Sequence, residues 1–154
     1  MSEQSKHHEG SCLYGTIRIE VDPTQKIFSV VCHCTICQHL GSAAGQALVG
    51  FQGKSLQVVV GEDHLDSYDT SEGMTRFRCR TCGALVYNQS KLPDFDFRDA
   101  PLAIFERDNC GIITRSDELR PTTHIFCAHQ TPWLMDEDVV KFVGHVGMSN
   151  KIDD

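Results

Sequence analysis

Long hydrophobic runs are missing from this sequence, and no stretch approaches the roughly 18 apolar residues of a membrane-spanning helix. Basic residues are also scarce: 14 Lys and Arg stand against 21 Asp and Glu, giving a formal net charge of -7. Nucleic-acid binding depends on clustered Lys and Arg. The nearest such cluster, Arg76, Arg78 and Arg80, is explained equally well as the solvated face of one strand. We therefore expect neither a nucleic acid nor a membrane as partner.

The first ten residues are polar and lack the apolar segment of a secretory signal. We therefore expect a cytoplasmic protein, in a compartment where thiols stay reduced. The chain nevertheless contains eight cysteines. An even number permits a disulfide framework, but a reducing compartment favours free thiols or metal ligands.

A length of 154 residues favours one domain. We expect a flexible N-terminal tail over residues 1–9, a single domain over residues 10–143, and a C-terminal tail over residues 144–154. The oligomeric state is open, and a homodimer is one possibility.

Short apolar stretches bounded by turn residues predict a mainly β fold of antiparallel strands with few short helices. Two stretches favour helix, Thr35–Ala44 and Asp136–Val143, whereas Pro93 and three Asp predict a loop over Ser90–Ala100. We expect Gln46–Phe51 to pair with Ser55–Val60, and Met74–Cys79 to pair with Ala84–Tyr87. The remaining strand candidates are Leu13–Val21, Ile27–Val31, Leu102–Phe105, Ile112–Thr114 and Thr123–Cys127.

The first cysteine cluster is the run Cys32-His33-Cys34-Thr35-Ile36-Cys37. Residues two apart on a strand point to the same face, so Cys32 and Cys34 can converge, and Cys37 can close from the following turn. A zinc ion with three protein ligands keeps its fourth position open to water or substrate. We expect His33 to point away from that face.

The second cluster is Cys79-Arg80-Thr81-Cys82-Gly83, a C-x-x-C at a hairpin tip followed by glycine. Glycine there permits the positive φ that turns backbone N–H groups toward thiolate sulfurs. A redox dithiol is the alternative, but it needs a βαβ context that the sequence does not show. Cys12, just before the first predicted strand, is the natural third ligand. Cys110 and Cys127 have no close cysteine neighbour and suit buried core positions.

Together these motifs resemble the glutathione-dependent formaldehyde-activating enzyme family, which also includes centromere protein V. The residues that carry the resemblance run from Gly10 to Leu134. They are G-x-C-x-x-G near the start, C-H-C-x-x-C followed by Gly41-Ser42, F-R-C-R-x-C-G, Pro121-x-x-His124-Ile125-Phe126, and Pro132-Trp133.

The resemblance implies a β-tent fold with a structural zinc and a second zinc near the glutathione site. Cys12, Cys79 and Cys82 would hold the structural zinc, and Cys32, Cys34 and Cys37 the second. The family usually has Cys-x-Cys in the first motif, whereas this chain has Tyr14 in the second position. Water, His7, His8 or Tyr14 itself are the alternatives for the fourth ligand, and the site could also be empty.

The implied activity is a carbon–sulfur lyase reaction on a glutathione adduct of formaldehyde or of a similar small electrophile. Cys32, Cys34 and Cys37 would form the catalytic site, with one or two zinc ions and glutathione as cosubstrate. Gly41 and Ser42 are candidates to contact glutathione, with a helix or turn boundary as the other interpretation. We expect His124 to be a buried structural histidine rather than a proton carrier, and Trp133 to be a core or rim aromatic. The alternative function is a non-catalytic, zinc-stabilised module that binds a protein partner.

Overall fold

The computed structural model describes residues 7–132, which form ten strands and two short α-helices. The helices are α1, Thr35–Gly41, and α2, Ser116–Leu119. The strands are β1 His8–Ser11, β2 Arg18–Val21, β3 Lys26–Cys32, β4 Gln46–Gln52, β5 Leu56–Val60, β6 Leu65–Thr70, β7 Met74–Cys79, β8 Leu85–Ser90, β9 Phe97–Pro101 and β10 Thr123–Ile125. The predicted mainly β fold with few short helices is confirmed.

Two sheets make up the architecture. A three-stranded antiparallel sheet has the order β1-β2-β5, and a seven-stranded sheet has the order β10-β3-β4-β9-β8-β7-β6. The pairing of β10 with β3 is parallel, while the other pairs of this larger sheet are antiparallel. The strand predicted over Thr123–Cys127 forms over Thr123–Ile125 and joins the sheet next to the first cysteine cluster.

The main core lies between the small sheet and one face of the large sheet. Side chains of the small sheet, such as Ile19 and Leu56, meet Val49, Phe51 and other residues of the large sheet, all fully buried. Alternation along a strand sends neighbouring residues to opposite faces. Leu48 accordingly belongs to a smaller core on the other face. Each of the two cores contains cysteines of one cluster, so the two clusters belong to different cores.

Several strand predictions are confirmed and others are wrong. β7 and β8 pair as predicted, and α1 begins at Thr35. β4 and β5 do not pair, because β4 lies between β3 and β9 whereas β5 pairs with β2 in the other sheet. The predicted strand Leu102–Phe105 is a 3-10 turn over Leu102–Ile104. Ile112–Thr114 forms one isolated bridge, from Ile113 to Arg107.

The loop predicted over Ser90–Ala100 is wrong in its second half, where β9 begins at Phe97. Its acidic residue Asp99 is tolerated inside the sheet because Asn88 Nδ2 donates a hydrogen bond to Asp99 Oδ1 at 2.6 Å. The stretch predicted as an N-terminal tail ends in β1, where His8 is buried. The predicted helix Asp136–Val143, Trp133 and the predicted tail 144–154 lie outside the described residues.

Within residues 7–132, no helix combines the length and the apolar composition that crossing a membrane requires.

Candidate metal centres

The first candidate centre consists of Cys32, Cys34 and Cys37, whose sulfur atoms all lie within 4.8 Å of one another. Cys32 ends β3, Cys34 is the N-cap of α1, and Cys37 lies in the first turn of that helix. The strand-to-helix turn therefore gathers the three thiols, as the spacing predicts. Cys32 and Cys37 are buried and Cys34 is half-buried, so the group meets solvent on the Cys34 side.

The thiols of this cluster shift one another's pKa values in opposite directions. The thiol of Cys37 hydrogen-bonds to Cys32 and lowers the pKa of Cys32 to about 6, although burial opposes the ionisation. The same hydrogen bond, together with burial and the nearby negative charge, raises the pKa of Cys37. The backbone N–H of Cys37 donates to Cys34 Sγ at 3.3 Å. The lowered pKa of Cys32 favours its thiolate form, which a bound cation would stabilise further.

His33 is buried, with 1% of its surface exposed, and it points away from the three sulfurs as predicted, toward β10. Its Nε2 lies 2.8 Å from Nδ1 of His124, and the two rings are nearly parallel. Its Nδ1 is buried and has no hydrogen-bond partner among the described residues. The prediction that His124 is a buried structural residue is wrong, because its side chain is exposed.

The segment around β10 is tied to the cluster by further hydrogen bonds. The backbone N–H of His33 donates to the carbonyl of Ile125 at 3.0 Å. The side chain of Gln38, in α1, donates to the carbonyls of His33 at 2.7 Å and His129 at 2.9 Å. The candidate site therefore combines one local segment with a second segment that is distant in sequence.

Gly41 and Ser42 lie at the opposite end of α1 from Cys34. Gly41 is the last helical residue, and Ser42 is the C-cap in the left-handed region, with φ of 50°. Its N–H donates back to the helix carbonyls of Gln38 and His39. The helix-boundary interpretation of these two residues is thus correct, and their contact with glutathione stays a prediction.

The second candidate centre consists of Cys12, Cys79 and Cys82, whose sulfurs also lie within 4.8 Å of one another. Cys12 follows β1, Cys79 ends β7, and Cys82 lies in the turn to β8. Cys12 and Cys79 are each 2% exposed and belong to the main core, while Cys82 is half-buried. The structure therefore brings Cys12 to the C-x-x-C turn, as the sequence predicts.

Backbone groups point at these sulfurs. The N–H of Ile17 donates to Cys12 Sγ at 3.4 Å. Burial opposes ionisation of Cys12, but hydrogen bonds from Ile17 and Cys79 outweigh it and lower the pKa of Cys12. Burial raises the pKa of Cys79. Such N–H donors are the outer partners that metal-bound thiolates use.

None of the predicted fourth ligands among the described residues joins this group. The group of metal-ligating atoms within residues 7–132 contains the three cysteines alone. Tyr14 is 72% exposed. His8 is turned to Glu118, with Nε2 3.1 Å from a carboxylate oxygen.

Arg78 connects the two centres across the large sheet. Its guanidinium donates to the carbonyl of Leu40 in α1, and to the carbonyl of Gly83 at 2.9 Å in the second cysteine turn. The sequence alone placed Arg78 either in a small basic cluster or on the solvated face of one strand. No local sequence pattern predicts this contact, because Leu40 is remote from Arg78 along the chain.

Cys110 and Cys127 stand apart from both groups. The prediction that they are buried is wrong, because both are exposed. Both thiols face solvent and lie outside the two clusters.

The donor sets of both centres fit zinc. Zinc binds thiolate sulfur at about 2.3 Å in tetrahedral geometry, and three converging cysteines supply three of the four corners. Zinc binding at either site remains a prediction.

Comparison with known proteins shows which family this chain belongs to. A crystal structure of a Rhodobacter sphaeroides protein shares its fold with a TM-score of 0.55 at 22% sequence identity, covering 75% of this chain and 98% of that chain. No curated protein is significantly similar in sequence. The family model for glutathione-dependent formaldehyde-activating enzyme matches residues 7–129, a range that contains both cysteine clusters and the His33–His124 pair. This chain belongs to the glutathione-dependent formaldehyde-activating enzyme family.

Proposed function

We propose that this protein is a zinc-dependent carbon–sulfur lyase that makes and breaks the adduct of glutathione with formaldehyde or a similar small electrophile. The observation that carries the proposal is the convergence of Cys32, Cys34 and Cys37 within 4.8 Å, with solvent access on the Cys34 side. Family membership supports the same substrates.

The reaction needs little beyond a thiolate and a proton. The thiol sulfur forms a bond to the formaldehyde carbon, the carbonyl π bond breaks onto oxygen, and the proton released by the thiol ends on that oxygen. The reverse direction cleaves the carbon–sulfur bond. Cys32, Cys34 and Cys37 would hold a zinc ion, which would favour the deprotonated form of an incoming thiol.

The protein holds the reactants in place and manages charge. Cys32 and Cys37, which are buried, would anchor the metal, while half-buried Cys34 would leave the approach open. Three thiolate ligands would neutralise the charge of a zinc ion and make it a weak Lewis acid. The site therefore suits delivery of a thiolate better than activation of a carbonyl. Holding two reactants together lowers the entropic part of the barrier.

The His33–His124 pair supports the site without entering it. His124 is exposed and hydrogen-bonds to buried His33, whose ring points away from the three sulfurs. The pair therefore holds β10 beside the strand that ends at Cys32 and is not assigned the proton of the reaction.

Exchange NMR between formaldehyde hydrate and its glutathione adduct at equilibrium tests the proposal. The zinc-loaded protein should accelerate exchange above the uncatalysed rate, Cys34→Ser should abolish the acceleration, and Cys127→Ser should preserve it because Cys127 lies outside both clusters. A wild-type protein that neither accelerates exchange nor binds glutathione would overturn the proposal and favour the non-catalytic protein-binding module.

A further inference from the structure

The loops that carry Cys12 and Cys79 close in the same way. The N–H of Cys12 donates to the carbonyl of Ile17 at 3.1 Å, and the N–H of Cys79 donates to the carbonyl of Ala84 at 2.9 Å. Each loop is thus a six-residue turn that begins with a buried cysteine. The two turns face one another, because their cysteines form a single cluster.

A left-handed glycine also occupies each turn. Gly15 has φ of 73° and Gly83 has φ of 76°. The residue before Gly83 is Cys82, which gives its turn a second sulfur, whereas the residue before Gly15 is Tyr14. One turn therefore supplies two thiols and its counterpart supplies one.

The Tyr14 side chain does not fill the missing corner. It is 72% exposed, and the neighbouring Leu13 is 73% exposed, so both side chains project into solvent. His8 is occupied by Glu118. Within residues 7–132 the cluster therefore has three ligand groups, of which half-buried Cys82 is the most exposed to solvent.

Space for a small molecule lies beside Cys12. A cavity of about 830 Å³ is lined in part by Cys12, Leu13 and Ala84. Its wall also carries two arginines and three glutamates, namely Arg18, Arg107, Glu9, Glu20 and Glu106. A molecule with both carboxylate and ammonium groups would therefore meet charges of both signs there. Soft thiolate sites favour soft sulfur ligands over oxygen ligands.

We propose that Cys12, Cys79 and Cys82 hold a zinc ion whose fourth ligand is a small zwitterionic thiol, such as cysteine or glutathione, taken from solution. This second thiol-binding site is separate from the proposed catalytic centre, since the two clusters belong to different cores. It does not depend on the proposed function.

Cobalt substitution of the full chain tests this site. In the variant Cys34→Ser/Cys37→Ser, Co²⁺ can occupy only the Cys12 cluster with three sulfurs. Titration with glutathione, and separately with cysteine, should raise the sulfur-to-cobalt charge-transfer absorbance by about one third, as three metal–sulfur bonds become four. Absence of any response would overturn the proposal.

Two Tyr14 variants serve as controls. Tyr14→Cys should show the higher absorbance without added thiol and should no longer respond, because a fourth cysteine closes the site. Tyr14→Phe should behave like the parent, and a changed spectrum before thiol addition would show that the phenol is the ligand and overturn the proposal.

A third measurement covers the case in which the double variant does not fold. In the otherwise unchanged chain, Tyr14→Cys should remove the thiol response of the Cys12 cluster and leave any response of the Cys34 cluster. An identical thiol response with and without Tyr14→Cys would overturn the proposal. Failure of the proposed lyase function would show instead as absent exchange NMR acceleration.

Discussion

Nε2 of buried His33 lies 2.8 Å from Nδ1 of exposed His124, although 91 residues separate them. The parallel pairing of β10 with β3 creates this contact, because it places His124 beside Val31 in register. The pair connects the buried backbone of the first cysteine cluster to the surface.

Replacing His124 with Ala should destabilise the fold, because it leaves a buried ring nitrogen of His33 without its partner. We expect a loss of about 1–3 kcal/mol in the free energy of unfolding, measured by urea denaturation. His129→Ala is the matched control, since the hydrogen bonds that His129 forms with Gln38 and Phe126 use its backbone carbonyl and N–H, which the substitution keeps. Equal stability of the two variants would contradict this reading of the pair.

The two cysteine clusters should differ in their contribution to stability. Cys79 belongs to the main core and Cys34 to the edge of the smaller core. We expect Cys79→Ser and Cys34→Ser each to lower the zinc content from about two ions to about one by elemental analysis. Cys79→Ser should lower the melting temperature far more, because it removes a link between β7 and the loop after β1. Two variants that melt together would argue against a structural role for the Cys12 cluster.

Gly50 is required because the ring of Phe28 lies over it. A Cβ atom at this position would stand 2.2 Å from the ring. Gly50→Ala should therefore cost about 1–3 kcal/mol through overpacking, measured by urea denaturation.

A double-mutant cycle checks the cause. In a Phe28→Ala background, Gly50→Ala should cost much less, since the obstructing ring is gone. An undiminished cost would show that backbone conformation, and not the ring, makes glycine necessary.

Asp99 should make the protein less stable as pH rises. Burial raises the pKa of Asp99 to about 7 against the hydrogen bond from Asn88 and the charge of Arg76. At a pH above the ordinary pKa of aspartate, the folded state therefore keeps a proton that the unfolded state has already released. The free energy of unfolding should fall between about pH 4 and pH 7, by up to about 4 kcal/mol from this group.

Asp99→Asn tests this origin of the pH dependence. The variant should lose most of the fall in stability between pH 4 and pH 7, measured by urea denaturation at several pH values. Asp94→Asn, which alters an exposed acid, should keep it. An identical pH dependence in the wild type and in Asp99→Asn would contradict the assignment.

Local patterns in the sequence determined much of the candidate site. The spacing of Cys32, Cys34 and Cys37 is short enough that one strand-to-helix turn gathers them. The turn between β7 and β8 was also predicted from the sequence, because Cys79, Cys82 and Gly83 lie at its tip. These features depend on contacts between near neighbours, which the period of a strand and the conformational freedom of glycine dictate.

The pairing of strands and the burial of several residues were predicted wrongly from the sequence. β4 and β5 read as a hairpin because a short turn at Gly53 joins two apolar stretches, yet they belong to different sheets. β9 was missed because its Asp99 looked like a loop residue, and its burial depends on Asn88 in a neighbouring strand. The exposure of Cys110, Cys127 and His124 likewise had no local signal.

The sequence by itself determined the mainly β class, the two cysteine motifs and the family, because each is written in residues that are close along the chain. Only the tertiary structure decided which sheet holds each strand, where His124 meets His33, and that the turn at Tyr14 faces the turn at Cys82 with its phenol in solvent. The physical reason is that these relationships arise from burying one face of each sheet, and that packing is settled by segments far apart in the chain.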